Sequence, residues 1–529
     1  MADINTRRLP VGIQSFKVIR EENYLYVDKS DIVWNLVNLG QKYNYLSRPR
    51  RFGKSVLVDT LEAYLQGRKD LFEGLKIIEM EKEWKQYPVV RLDMSLAGST
   101  AKAIQSYLSD AFSEYESTYG ITPLPTASLA VRFKNIVTTA FKKTGYKVAI
   151  LIDEYDSPLQ HSWMTAEHND CTDVYRNVFA VLKACDEFEK FVFITGITKF
   201  TQISLFSVLN NLSNISFTPE NAAICGITEE EMKENFMPEI KKMSEANNWS
   251  VEETHDRLKA YYDGYHFCRH NMVDVYNPYS LVNALNSKEI INFWASSGAT
   301  SLLPKFVDNA ELRMKNFENC RIMRNTLEMS DVSGGGAELF LYQSGYLTIK
   351  DSDEFGYILG FPNEEVKQAL YEMVLPALTM RERSDIQSIQ ANLYAQLGTG
   401  QIDDAMKSLK ALIADVPYSN KKLASMDMEE RYRLIISTIL NAIGLSVEVE
   451  KMISTGRIDM TVKTSRYIYV IELKLRNNGG KEAATEQILN RQYMEPFKAD
   501  KRKVIGLGIE LDEEGKGLLD WKRTESFSE

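Results

Sequence analysis

Three short clusters carry residues whose types and spacing suit chemistry on phosphates. The first is LSRPRRFGKSVL at residues 46–57, where Gly53, Lys54 and Ser55 follow a short apolar run and precede a helical one. A glycine lets backbone approach a phosphate closely, and a lysine ammonium reaches the β- and γ-phosphate oxygens. A serine hydroxyl can ligate Mg²⁺, while the first amides of the following helix face the anion. The candidate cradle comprises Arg50, Arg51, Phe52, Gly53, Lys54, Ser55 and Val56. It departs from the usual glycine-rich loop, because Arg48 stands where the first glycine is expected and Pro49, Arg50 and Arg51 fill the turn. At least one of the two following arginines is expected to face phosphate or a neighbouring domain. Taken alone, the segment also reads as a basic turn at a helix start.

The second cluster is AILIDEYDSP at 149–158, an apolar run ending in Asp153 and Glu154. In open parallel sheets ligands lie at the carboxyl ends of the strands. Asp153 would hold Mg²⁺, directly or through water, and Glu154 would orient or deprotonate the attacking water. A strand ending in a solvated acidic turn is the plainer reading of either carboxylate alone. The phosphate loop about a hundred residues earlier favours the pair. A further run ends in TGITKF, where Thr195, Thr198 and Lys199 are placed to sense a γ-phosphate.

The third cluster is TGRIDMTVKTSRYIYVIELKLR at 455–476. Ile458, Met460 and Val462 alternate with Asp459, Thr461 and Lys463, and later Ile471, Leu473 and Leu475 alternate with Glu472 and Lys474. Alternation places residues two apart on one face of a strand. A hairpin would bring Asp459 beside Glu472 and Lys474, so that two carboxylates hold a divalent cation while the lysine helps activate a water against a phosphodiester. The apolar run Tyr467 to Ile471 marks this strand as central; otherwise the pattern reads as a surface hairpin with alternating charges. The preceding helix, MEERYRLIISTILNAIG, offers Glu430 as a further carboxylate, and a helix containing Gln487 follows.

These clusters need elements to position them. Strands are expected at Tyr43–Ser47, Val89–Met94, Val148–Asp153, Phe191–Gly196 and Ile215–Phe217, with helices at 55–66, 101–118 and 173–188 between them. Such alternation predicts a doubly wound α/β sheet. Residues 228 to about 375 read mostly helical, with short aromatic strands at 340–361 that suit a small winged-helix-like unit. Two helices separated near Gly398 and Gly400 fill 380–425, and the last hundred residues read as helix, strands and helix. The chain of 529 residues, 44% hydrophobic and 26% charged, is of globular composition and too long for one core.

Its net charge of −10 argues against non-specific coating of nucleic acid and leaves a local patch as the means of contact. No apolar stretch approaches the roughly 20 residues that cross a bilayer, and the start MADINTRRLP has no apolar segment of a secretory leader. A cytoplasmic protein without membrane contact is expected. The five cysteines are scattered and form no Cys-x-x-Cys pair, and His266-Phe267-Cys268-Arg269-His270 has no second half to complete a zinc site.

VGIQSFKVIREENYLYVDKS, RPRRFGKS, LIDEYDSP, TGITKFTQISLFSVLNNL, YYDGYHF, VYNPYSL and YQSGYLTI resemble the AAA-ATPase-like family, whose own loop lacks the first glycine. GRIDM, IELKL and QILNRQY resemble the PD-(D/E)XK nuclease domain that this family commonly carries. The resemblance spans nearly the whole chain. It implies a P-loop NTPase parallel sheet at 1–227, a helical, winged-helix-like lid region at 228–378, a helical linker at 379–425 and a PD-(D/E)XK restriction-endonuclease-like domain at 426–529. It implies ATP and Mg²⁺ at Lys54, Ser55, Asp153 and Glu154, and a nuclease core of Asp459, Glu472 and Lys474 with Glu430 and Gln487 as accessories. The expected function is an ATP-hydrolysing protein coupled to an Mg²⁺-dependent nuclease acting on DNA or RNA, in defence or mobile-element biology. The alternative is a nucleotide-operated switch whose last domain binds nucleic acid or a partner without cutting. Self-association is left open.

Overall fold

The computed structural model describes residues 7–122, 126–163, 165–198, 212–269, 273–296, 317–329, 336–379, 383–414 and 427–525. Described residues up to 363 form one compact unit, and those from 364 onward form a second.

In the first unit the short apolar runs become β1 (Tyr43–Ser47), β2 (Val89–Asp93), β3 (Val148–Asp153), β4 (Glu189–Gly196) and β5 (Ser213–Asn214), all parallel, in the order β2-β3-β4-β1-β5. Every residue of β3 is buried, as are all but one of β4. A strand covered on both faces has no solvent side to keep polar, which is why these runs do not alternate. The register sets Ser47 beside Gly196 and Asp93 beside Asp153, so the carboxyl ends of the four long strands finish along one edge.

The helix α1 (Lys54–Leu65) leaves that edge directly after β1. Three longer helices follow: α2 (Ala101–Thr118), α3 (Leu129–Thr144) and α4 (His168–Ala184). Thr100 and Ser128 cap the first two through their side chains, and α3 stops at Gly145 in the left-handed region. Burial of Ile104, Leu108 and Phe112 at intervals of four makes one face of α2 apolar, and Phe112 stacks on Phe133 of α3 at 5.2 Å.

Two expected strands take other forms. Ile215–Phe217 is a 3₁₀ turn, and the strand lies just before it at Ser213–Asn214. The turn lets Ser216 meet β1, its hydroxyl accepting from the Ser47 amide at 2.8 Å. The run LFLYQ is the end of a helix, Gly336–Gln343, buried from Leu339 to Gln343. An apolar run this short fits a buried helix as well as a strand.

Between these lie β6 (Ile227–Thr228), α5 (Glu229–Asn247), α6 (Val251–Tyr262), β7 (Val275–Tyr276) and α7 (Pro278–Ser287), followed by a three-stranded sheet of β8 (Cys320–Met323), β10 (Gly356–Gly360) and β9 (Thr348–Ser352), in that spatial order. A capping box starts α5: Thr228 accepts from the Glu231 amide, and Glu231 accepts from the Thr228 amide. The same carboxylate takes both bonds of the Lys29 ammonium, at 2.7 and 2.8 Å.

The second unit contains α8 (Arg383–Thr399) and α9 (Ile402–Ala414), which break at Gly400 with φ of 78°. Then come α10 (Met428–Ala442), β11 (Ser446–Ile453), β12 (Gly456–Lys463), β13 (Tyr467–Leu475), α11 (Gly480–Asn490), β14 (Lys503–Leu511) and β15 (Leu518–Glu525). The five strands form one mixed sheet in chain order, with β13 and β14 parallel and the other pairs antiparallel. Met460, Val462, Tyr469, Ile471 and Leu473 pack in one core with Ile435, Ile436 and Ile439 of α10. Ile468 and Val470 pack in another with Ile488 of α11. Ile458 joins the second core, not the one holding Met460, so β12 changes face around Asp459.

In the first unit, the Tyr43 hydroxyl lies 2.6 Å from Glu189 Oε2 and 2.8 Å from Asp186 Oδ1. One hydroxyl proton cannot serve both acids, and burial pushes the Glu189 carboxyl up to about 7. Because the folded value exceeds the unfolded one, this group stabilises the fold below about pH 4.5 and loses that contribution as pH rises through 7. Glu189→Gln should therefore stabilise the fold at pH 8 by no more than about 3 kcal/mol, with a higher unfolding temperature. At pH 5 it should change little; calorimetry at both values checks this.

Candidate functional site

The residue in place of the first loop glycine explains the loop's shape. The Arg48 side chain is 1% exposed. Its guanidinium donates to the carbonyls of Ser47, Ser216 and Asn221, each at 2.9 Å, and lies 4.1 Å above the Phe267 ring. Arg48 thus fixes the start of the loop to the 3₁₀ turns beyond β5. Phe52 is buried against Tyr265 and Phe267, at 4.7 and 5.4 Å between ring centres. Gly345 lies against Pro49, where a Cβ would come within 2.5 Å of the proline's own, and its carbonyl accepts from the Tyr265 hydroxyl. The YYDGYHF and YQSGY segments therefore form a wall behind the loop.

On the other side, Lys54 begins α1 and is buried. Its ammonium donates to the carbonyls of Arg48 and Pro49, both at 3.0 Å. Burial lowers its pKa, and the charges of Glu154, Asp153 and Asp156 oppose that shift. Asp153 ends β3 and accepts from the Glu154 amide at 2.9 Å. Burial raises the carboxyl pKa of both Asp153 and Glu154, with Lys54 the largest opposing influence on each. Glu154 sits at φ of 46°, a conformation that costs a non-glycine residue energy and turns the chain sharply at the strand end.

The strand order leaves β4 between β1 and β3, so contact between the two sequence clusters requires reach across a strand. Asp156 supplies part of it. Its carboxylate accepts from the amides of Ile197 and Thr198 and from the Thr198 hydroxyl, tying the turn after β3 to the end of β4. Gly196 has no side chain because a Cβ there would collide with this carboxylate.

A cavity of about 600 Å³ opens over the loop. Arg50, Arg51, Phe52, Gly53, Lys54, Ser55, Val56 and Glu154 all contribute to its lining; Asp153 is not among its lining residues. Phe52, assigned to the cradle by sequence, has most of its ring in the hydrophobic wall. Arg51, at φ of 68°, holds its guanidinium 4.5 Å above the Tyr279 ring. Arg50 acts electrostatically on Glu154. Lys199 lies outside the described residues. Sequence reasoning missed the far wall of the cavity, which comes from Pro10–Gln14, Leu25–Val27 and Tyr279 and Val282 of α7. Polar chemistry does not mark these apolar segments.

In the second unit the ladder between β12 and β13 ends at Met460 and Ile471. Beyond that pair, the Leu473 amide donates to Asp459 Oδ2 at 2.9 Å, and the Asp459 amide approaches Glu472 Oε2 at 3.5 Å. The two carboxylates converge where the strands separate. Glu472 is 2% exposed. Burial, followed by the Asp459 charge, raises its carboxyl pKa, while Lys474 at 3.8 Å lowers it. Gln487 on α11 donates its amide to Glu472 Oε1.

Glu430 requires correction. It is exposed, and its neighbour Glu429 accepts from the Leu475 amide at 3.1 Å and lies 3.8 Å from the Lys474 ammonium. One residue turns a helix by about 100°, so only one of two adjacent glutamates can face the sheet. Arg433, four residues on from Glu429 and on the same face, pairs with Asp459 Oδ1 at 3.0 Å.

Both sites offer oxygen donors suited to a hard divalent cation. Among the described residues, no group of three or more histidine, cysteine, aspartate or glutamate side chains is placed to hold one. Mg²⁺ does not require such a group, since it keeps waters and binds through one or two carboxylates plus substrate phosphate. In the His266–His270 segment, His266 is engaged by Asp274 at 2.8 Å and by the Ile349 carbonyl at 3.0 Å.

A family model described as predicted AAA-ATPase matches residues 10–206, and a model of the PD-(D/E)XK nuclease superfamily matches residues 427–521. The chain is also 30% identical, over 534 aligned positions and 98% of each chain, to an uncharacterized protein in the vnfD 5' region of Azotobacter chroococcum mcd 1. No helix among the described residues is long and apolar enough to cross a membrane.

The packing of Phe52 predicts a stability phenotype. Phe52→Ala should cost about 3–5 kcal/mol, the usual range for truncating a buried aromatic. Phe52→Leu should cost clearly less. Chemical denaturation of both variants checks this, and equal losses would contradict the packing role.

Proposed function

The chain belongs to the predicted AAA-ATPase family and carries a C-terminal PD-(D/E)XK nuclease superfamily domain, and from that premise we propose that it hydrolyses ATP and cleaves nucleic-acid phosphodiesters with Mg²⁺. The observation that carries the first activity is the buried Lys54 ammonium among the charges of Asp153 and Glu154, under a nucleotide-sized cavity lined by Lys54, Ser55 and Glu154. In this reading Lys54 exchanges its two carbonyl acceptors for β- and γ-phosphate oxygens. Ser55 and Asp153 hold the cation, and Glu154 orients a water and takes its proton. A raised carboxyl pKa suits a base that must accept a proton near neutrality. Arg50 and Arg51 add positive charge on the same wall.

The second activity rests on the convergence of Asp459, Glu472, Gln487 and Lys474. Asp459 and Glu472 would hold the cation, Gln487 orients Glu472, and Lys474 holds a water against the scissile phosphate. Bound Mg²⁺ supplies charge that neutralises phosphate oxygens and, in the second unit, lowers the pKa of an attacking water. DNA is the first substrate to test and RNA the second.

One observation favours a non-cleaving alternative. Asp459 is already ion-paired with Arg433, which suits a nuclease-like domain that binds nucleic acid or a partner under nucleotide control.

Lys54→Ala should reduce ATP hydrolysis by about a hundredfold or more, through loss of its charge from the phosphates. Glu154→Gln should retain ATP binding while turnover falls by a similar factor of about a hundred. Steady-state hydrolysis and equilibrium nucleotide binding separate the two effects.

Asp459→Asn or Lys474→Ala should remove cleavage and leave ATP hydrolysis unchanged, since the residues lie in different compact units. Cleavage of labelled DNA and RNA by the full chain, with ATP and Mg²⁺ varied separately, distinguishes the two readings. Absence of cleavage under every condition, with ATP turnover intact, would favour the alternative.

A further inference from the structure

Arg433 and Glu450 have no part in the nuclease reading, yet Arg433 bridges Glu450 to its central carboxylate, Asp459. Arg433 projects from α10 with a side chain only 14% exposed. One guanidinium nitrogen pairs with Asp459 Oδ1 at 3.0 Å, and the other pairs with Glu450 Oε1, also at 3.0 Å. Those two carboxylates are its ion-pair partners among the described residues.

Glu450 is delivered by an irregularity in β11. The pairing of β11 with β12 runs Val449 to Met460 and resumes at Lys451 to Ile458, so Glu450 and Asp459 are skipped together. At that point Glu450 adopts φ of 54°. A local departure of this kind re-aims a side chain, and such departures concentrate beside functional sites. Here it directs a carboxylate to the far side of Arg433. Arg457 pairs with the same Glu450 oxygen at 3.1 Å and helps hold it there.

We propose that Arg433 is a built-in competitor of the divalent cation at Asp459, and that Glu450 positions it and receives it when a cation binds. This rests on the reading of Asp459 and Glu472 as a cation-binding pair. The guanidinium already occupies one Asp459 oxygen, and the Leu473 amide donates to the other. A dication binding through Oδ1 must displace the guanidinium, because two cations on one oxygen repel. Arg433 then keeps the carboxylate of Glu450, which prevents it from becoming an unpaired buried charge. The arrangement sets a cation threshold for the site, so cation affinity becomes a property of Arg433 as much as of the ligands.

The test is calorimetric titration of Mn²⁺ into the full chain and its variants, with unfolding temperature recorded for each. Arg433→Gln should bind Mn²⁺ on the order of tenfold tighter, because the competing charge is gone. Arg433→Lys should stay near the unmodified protein. Glu450→Gln should bind several-fold more weakly, by on the order of threefold to tenfold, because Arg433 then has no other carboxylate to hold it. Asp459→Asn should lose the site and serves as the control for the underlying reading.

Unchanged or weaker binding by Arg433→Gln, while Asp459→Asn still abolishes it, would overturn the competition and leave the cation pair standing. Absence of Mn²⁺ binding by both the unmodified protein and Arg433→Gln would overturn both. If Arg433→Gln fails to fold, the Arg433→Lys and Glu450→Gln titrations decide: weaker binding by Glu450→Gln alone supports the proposal, and equal affinities contradict it.

Discussion

A guanidinium with almost no solvent contact needs acceptors on several sides, and Arg48 finds them in three backbone carbonyls and an aromatic face. Burying a charge without a carboxylate partner is costly unless polar groups replace its hydration. That requirement fixes the chain on both sides of β1. The turn at Ser216 and the segment at Asn221 must present their carbonyls, and Phe267 must lie against the guanidinium. With the loop held in this way, the carbonyls of Arg48 and Pro49 point at Lys54, and Phe52 is drawn into the wall formed by Tyr265 and Phe267. A glycine at position 48 would let the loop wrap a phosphate with its amides. An arginine there couples the loop to the helical part of the same unit instead.

The second unit depends on a different constraint. Antiparallel pairing of β12 with β13 stops at Met460 and Ile471, and the freed Leu473 amide is taken by the Asp459 side chain. Asp459 therefore completes backbone hydrogen bonding while standing beside Glu472. Two acids held this close in a buried site favour either a shared proton or a cation. The skipped pair at Glu450 and Asp459 adds a third charge to the same place, and Arg433 answers it. The acids and bases at the centre of this sheet thus come from α10, β11, β12 and β13.

Much of this was legible in the residues. The four long strands of the first sheet and the helix over 101–118 follow from short apolar runs alternating with longer helical stretches. The convergence of Asp459 with Glu472 follows from alternation across a hairpin. What remained hidden has physical causes. Helical phase is lost when two glutamates are adjacent, so Glu430 was expected where Glu429 stands. The aromatic run at 339–343 is short enough to suit either helix or strand. The apolar wall of the cavity carries no charged or catalytic residue type to single it out. Arg48 reads only as a departure from a glycine-rich loop, because nothing local reveals the carbonyls it meets some 170 residues later. Glu450 depends on a break in pairing that periodicity does not disclose.

In the proposed function, the loop anchored by Arg48 presents Lys54 to the phosphates of ATP. A crystal structure of the full chain with Mg²⁺ and a non-hydrolysable ATP analogue tests it most directly. Lys54 Nζ is expected within hydrogen-bonding distance of β- and γ-phosphate oxygens, with the cation between Ser55 and Asp153 and the Arg48 guanidinium still on its three carbonyls. A nucleotide bound elsewhere, with Lys54 remaining on the carbonyls of Arg48 and Pro49, would contradict it.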